Sequence, residues 1–280
     1  MNSEEKYIPE LRESVGELKR MREKAGSLSH EHWPMYDEGL ASFAKEFMSV
    51  TPCSEKAEYE HDGVKIFNQE QVARLFVDYI RTTLKSDSNH HLTALEIGGP
   101  GLKLFGEFPP HFFEKTFGVC LADTENPIDK EKNDTGHEII TGDIFSNDTY
   151  KKIKNAVGRN GLDFIISRMA GGLDETTHNP IIWAKIAKKW YELLADGGLM
   201  FVQYRFATGD KWISNTEVAK DVREKMMKEW VRFIQDNYGE AIEIQLGENQ
   251  LRLLKKKGAP DKLPVLEYFD RSPIIEKNKK

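Results

Sequence analysis

The stretch Thr93-Ala94-Leu95-Glu96-Ile97-Gly98-Gly99-Pro100-Gly101-Leu102 constrains the fold of this chain more than any other. Its apolar run ends in an acid and then breaks into three glycines and a proline within four residues. That order predicts a buried strand, a tight turn and the start of a helix. Glycine carries no Cβ, so a ligand can approach the backbone closely at such a turn. Backbone N–H groups there favour a negatively charged ligand group. The acid just before the turn suits a hydroxyl or an ammonium group instead. Taken alone, the stretch reads equally well as a strand followed by a structural turn.

The pattern recurs, which decides between those readings. Residues 115–123 are an apolar run ending in Asp123, and residues 137–145 carry Gly142-Asp143-Ile144 after a third run. Residues 162–168 form a fourth run, closed by Ser167-Arg168. Leu193-Leu194-Ala195-Asp196-Gly197-Gly198 closes a helix and leads into a fifth strand, placed at 199–204. Continuous apolar runs of this kind are strands buried on both faces, and their alternation with helices predicts a parallel sheet. Ligands in such sheets bind at the carboxyl ends of the strands. Glu96, Asp123, Asp143 and Ser167 all fall there.

Helical periodicity fills the intervals. Residues 3–25 place Leu11, Val15, Leu18 and Met21 on one narrow stripe, read as a packing helix with a homodimer contact as the alternative. Asp37 is read as the cap of a helix running to about residue 50, with Leu40, Phe43, Ala44 and Phe47 inward. Asp62-Gly63 suggests a short hairpin within 55–68. Asn68 opens a strong helix with Val72, Leu75, Phe76, Tyr79 and Ile80 on its core face. Further helices are placed at 104–108, stopped by Pro109-Pro110, and at 146–160, 181–195 and 215–237. The helix at 215–237 points Val218, Val222, Met226, Trp230 and Phe233 inward, and residues 241–255 read as a hairpin. Lys255-Lys256-Lys257 and the basic tail read as solvated charge.

Composition narrows the partners. A net charge of −6 disfavours a general nucleic-acid binder. Cys53 and Cys120 are too few for a cysteine-rich zinc site or a disulfide framework, and His30 and His32 lack a third ligand nearby, so no metal is expected. The polar start Met1-Asn2-Ser3-Glu4-Glu5-Lys6 does not read as a signal peptide. No run approaches the roughly 20 apolar residues of a membrane span. A reducing, cytoplasmic setting is the expectation.

Three segments carry a further likeness: Leu95-Glu96-Ile97-Gly98-Gly99-Pro100-Gly101, then Gly142-Asp143-Ile144, then the run from Trp190 to Leu199. Over roughly residues 70–256 the chain resembles the class I S-adenosylmethionine-dependent methyltransferases. The resemblance implies a Rossmann-like α/β fold, with a mostly parallel seven-stranded sheet ending in an antiparallel hairpin. It divides the chain into an N-terminal helical extension or lid (1–67), a cofactor-binding domain (68–258) and a tail (259–280). It implies S-adenosylmethionine as cofactor, held by Glu96, Gly98, Gly99 and Gly101 at its methionine part. Asp123 would hold the ribose, Asp143 and Ile144 the adenine, and Ser167 would be a further cofactor-binding residue. The chain departs from the usual pattern at Pro100 and Leu102, where later glycines stand, and at Cys120, where the ribose acid commonly follows the second strand.

Residues 168–180 lie beside that cleft and contain neither the Asn-Pro-Pro-Tyr type of motif nor a Pro-Cys pair, which weakens both nucleobase readings. A small-molecule substrate is the expectation, met by Tyr36, Arg168 and Arg205. His178 is the candidate base, because an unperturbed imidazole titrates near neutrality. Two rivals remain: a non-catalytic binding or scaffold protein that kept the fold, and a nicotinamide-dependent oxidoreductase. The second lacks the spaced dinucleotide glycines.

Overall fold

A computed structural model describes residues 39–51, 58–61, 64–84, 91–120, 136–158, 160–168, 180–204 and 220–266. The seven sheet strands are β3 (Thr93–Ile97), β4 (Lys115–Cys120), β5 (His137–Thr141), β6 (Leu162–Ser167), β7 (Leu194–Gln203), β8 (Ile242–Leu246) and β9 (Gln250–Lys255). Their spatial order is β5-β4-β3-β6-β7-β9-β8. The first five run parallel, and β9 is antiparallel to both of its neighbours. The expected parallel sheet with a terminal antiparallel hairpin is therefore present. A separate antiparallel pair joins β1 (Glu58–His61) to β2 (Val64–Phe67), while Asp62 and Gly63, the expected turn, lie outside the described residues.

The sheet is buried on both faces because its strands carry apolar side chains in both directions. On one face Ala94, Phe164, Ile166, Leu199 and Phe201 pack beneath α1 (Leu40–Phe47), α2 (Gln69–Thr83) and α3 (Leu102–Gly106). On the other, Leu95, Ile97, Val119, Ile165, Met200 and Val202 meet α4 (Asn147–Val157), α5 (Pro180–Tyr191) and α6 (Lys220–Tyr238). Asn68 caps α2 by accepting from the Gln71 N–H at 3.1 Å, and Ser146 caps α4 from Asp148. The left-handed Gly158 ends α4.

Four details differ from the sequence expectations. The fifth strand starts at Leu194, so Gly197-Gly198 lie inside β7 at a register irregularity opposite β6. The buried stripe of α6 is Met227, Trp230, Val231 and Ile234, one position on from the expected face, with Met226 and Phe233 only half-buried. Lys255 is not solvated: 6% exposed, it donates from Nζ to the Leu194 carbonyl at 3.1 Å and lies 4.9 Å from the Tyr191 ring centre. Gly39 stands at the N-cap of α1 without a capping side chain of its own, and a Glu107 carboxylate oxygen accepts from the Leu40 N–H at 2.7 Å. An acid there satisfies an otherwise orphaned amide at the positive end of the helix. Asp37 lies outside the described residues.

Residues 259–266 run back over the core. Leu263 is buried, Tyr191 donates to the Pro260 carbonyl at 2.9 Å and Trp230 donates to that of Pro264 at 2.9 Å. Among the described residues no helix is long and apolar enough to cross a membrane.

Candidate functional site

The carboxyl end of β3 is where the chain turns most tightly. Gly98 (φ 97°) and Gly101 (φ 75°) take backbone conformations that L side chains rarely adopt. The Gly98 N–H donates to the Val119 carbonyl at 3.0 Å, which holds the turn against β4. Glu96 is 4% exposed, and its carboxylate folds back over Gly99. A Cβ on Gly99 would lie 2.1 Å from Glu96 Oε1, so only glycine leaves room for the acid in this position.

The loop is also pressed down onto the sheet. A Cβ on Gly118 of β4 would lie 2.0 Å from the Pro100 carbonyl oxygen. His137, the first residue of β5, places Nε2 2.8 Å from that same oxygen, and its Nδ1 lies 2.7 Å from the Thr116 hydroxyl. Gly118, Thr116 and His137 share one face of neighbouring strands, because Thr116 pairs with His137 and Gly118 with Ile139. Sequence reading missed these three. Gly118 did carry a signal, since a glycine inside a strand often marks a close backbone approach.

The turn after β5 lies two strands away, about 9.5 Å across the sheet at the usual strand spacing. The Gly142 N–H donates to the Cys120 carbonyl at 2.8 Å, tying this turn to the end of β4. Asp143 Oδ1 accepts from the Phe145 N–H at 2.9 Å, and its carbonyl accepts from Ser146 at 2.8 Å. Ile144 is buried in the core with Ile140 and Phe145. Ser167 is fully buried, and its hydroxyl donates to the Ile97 carbonyl at 2.8 Å, joining the ends of β6 and β3. Its hydroxyl therefore braces the strand just before the glycine turn.

A third group of side chains hangs α1 over the same end of the sheet. Arg168 donates to the Ser42 hydroxyl at 3.2 Å and lies 5.5 Å from the centre of the Phe43 ring. Glu46 Oε1 accepts from the side-chain amides of Gln203, at 2.5 Å, and Gln250, at 2.9 Å. Phe47 meets the Phe201 ring at 5.2 Å. The helix thus spans the ends of β6 and β7 and the start of β9. Tyr204, just beyond β7, donates to the Gly247 carbonyl at 2.9 Å. Burial, with Glu224 and Glu248 nearby, pushes its phenol well above the usual tyrosine range.

The structure sets Glu96 near the end of β3 and Gly98, Gly99 and Gly101 in the turn that follows it, with Asp143, Ile144, Ser167 and Arg168 at the ends of β5 and β6. Tyr36, Asp123, His178 and Arg205 lie outside the described residues. The decisive feature of the fold is the sheet order, five parallel strands followed by a reversed β9 inserted between β7 and β8. A nicotinamide-binding sheet ends in a parallel strand.

The fold is that of the class I S-adenosylmethionine-dependent methyltransferases.

No family model and no curated protein matches the sequence. Among solved structures, the chain is similar to the plantazolicin methyltransferase BpumL, crystallised with a desmethyl plantazolicin analogue and SAH. That likeness has 12% identity and a TM-score of 0.44, over 86% of this chain and 99% of that one. It is also similar to the MycE methyltransferase of the mycinamycin pathway (15% identity, TM-score 0.40, 67% of this chain and 47% of that one). A third is the sugar N-methyltransferase KedS8 from Streptoalloteichus sp. ATCC 53650 (17% identity, TM-score 0.34, 48% and 49%). The chain thus spans about half the length of MycE and of KedS8.

Proposed function

We propose that this chain binds S-adenosylmethionine and transfers its methyl group to a small molecule. The observation that carries the reading is the glycine turn after β3, with the Glu96 carboxylate laid over Gly99 at the carboxyl end of the sheet. The residues suit the cofactor. A glycine turn without Cβ atoms admits a close ligand, and a nearly buried carboxylate suits the ammonium of its methionine part. Asp143, on the turn two strands away, stands on the adenine side. Asp123 remains the proposed ribose acid.

The cofactor supplies a methyl group already activated by a sulfonium. The protein's own work is then orientation and exclusion of water. Glu96 and the glycine turn hold one end of the site, while Ser167 braces the strand end beneath it. Helix α1 roofs the neighbouring strand ends through Arg168 and Glu46. Arg168, Tyr36 and Arg205 are the proposed acceptor contacts, and His178 the proposed base. The setting we propose is cytoplasmic.

Thermal unfolding with S-adenosylmethionine, S-adenosylhomocysteine or NAD tests the reading. A ligand at 100 times its dissociation constant adds about 2.7 kcal/mol of stability. Stabilisation by the first two and not by NAD is expected; no shift with either sulfur ligand refutes it. Release of S-adenosylhomocysteine with candidate acceptors then separates an enzyme from a non-catalytic binder.

A further inference from the structure

We infer that His137 is a positioning residue that aims the glycine loop for its ligand. The inference rests on the cofactor reading above. A carbonyl oxygen can only accept, so His137 Nε2, 2.8 Å from the Pro100 oxygen, carries the proton. In the neutral ring Nδ1 is then the acceptor, and the Thr116 hydroxyl donates to it across 2.7 Å. Thr116 is 8% exposed and His137 9%, so water competes poorly for either bond. Thr116 thereby selects the tautomer that Pro100 requires.

The consequence reaches past the carbonyl. The Pro100–Gly101 peptide is trans, and a planar trans peptide points its N–H opposite to its C=O. With the Pro100 oxygen held down toward Gly118 and His137, the Gly101 N–H is turned away from β4. Gly101, on the C-terminal side of this peptide, has φ 75° and no Cβ to fix its orientation. A side chain 37 residues away supplies the restraint. Gly101 takes the space left beside the imidazole, since a Cβ there would lie 3.1 Å from His137 Cε1.

Calorimetric titration of the full chain with S-adenosylhomocysteine, together with hydrogen exchange of residues 98–106 in the unliganded protein, tests this. His137→Phe keeps a ring but loses the donor. It should weaken binding about tenfold and speed exchange in the loop. His137→Gln can place an amide N–H near the Nε2 position and should bind within about threefold of wild type. Thr116→Val should weaken binding, and Thr116→Ser, which keeps the hydroxyl, should not. The inference is overturned if His137→Phe binds and exchanges like wild type, or if His137→Gln is as impaired as His137→Phe. A wild-type protein that binds no S-adenosylhomocysteine refutes the cofactor reading alone. The exchange rates then still decide whether His137 holds the loop: unchanged rates in His137→Phe overturn it, and a selective rise supports it.

Discussion

Replacing Gly118 by alanine puts the packing of the glycine loop under direct test. The added Cβ would sit 2.0 Å from the Pro100 carbonyl oxygen, 2.3 Å from its carbon and 2.8 Å from Pro100 Cα. All three are backbone atoms, so no flexible side chain can swing aside. To regain an ordinary contact near 3.4 Å the loop must retreat by about 1.4 Å. A retreat of that size stretches the 2.8 Å bond from His137 Nε2 to the same oxygen beyond hydrogen-bonding range. Overpacking of this kind costs about 1–3 kcal/mol, and the lost hydrogen bond adds about 1 kcal/mol. For a chain of this size we expect Tm to fall by roughly 5–10 °C in scanning calorimetry. Affinity for S-adenosylhomocysteine should fall at least about tenfold, because the turn that would hold it has moved. Gly106→Ala is the control: a Cβ there meets nothing within 4 Å, and its φ is not left-handed. It should match wild type or gain slightly through a less flexible unfolded chain. A Gly118→Ala protein that melts within about 1 °C of wild type refutes the close approach of Pro100 to β4.

Three further outcomes follow from the same geometry. Ser167→Ala leaves the Ile97 carbonyl without its donor in a fully buried place, and should cost about 1–3 kcal/mol by urea unfolding; an unchanged midpoint would show that the bond does not brace β3. Glu46→Ala removes the shared acceptor of Gln203 and Gln250, so limited proteolysis should cut within 40–50 faster, while equal cleavage would mean α1 is held by its apolar face alone. Tyr204 and Tyr191 both titrate above the usual value near 10 because burial penalises the phenolate. Above that pH the unfolded chain loses protons the folded chain keeps, so stability should fall with rising pH, by up to about 1.4 kcal/mol per unit for each tyrosine. Tyr204→Phe should flatten the slope of stability measured from pH 9.5 to 11; an identical slope in wild type and variant would sink that attribution.

Much of the fold was legible in the chain. The apolar runs at 93–102, 115–123, 137–145 and 162–168 hold β3 to β6, and 241–255 holds the hairpin that reverses the sheet edge. Local chemistry explains why: burial on both faces demands a continuous apolar run, and caps such as Asn68 and Ser146 act within three residues. Where the reading slipped, a tertiary contact outweighed the local pattern. Lys255 belongs to a charge run, yet the Leu194 carbonyl and the Tyr191 ring draw it inside. The α6 face turned by one position because periodicity gives a stripe's width more surely than its edge.

The candidate site divides along the same line. The sequence by itself determined that a glycine turn follows Glu96 at a strand end, because glycine and acid act on their own few residues. Only the tertiary structure decided what that turn rests on. Gly118 makes room for Pro100, His137 holds its carbonyl with Thr116 behind, and Ser167 reaches Ile97 across 70 residues. The roof was decided in the same way, when Glu46 met Gln203 and Gln250, 157 and 204 residues further along the chain. Periodicity reports which side of an element is apolar. Which polar atoms meet is set by strand order and register, and those exist only once the sheet is assembled.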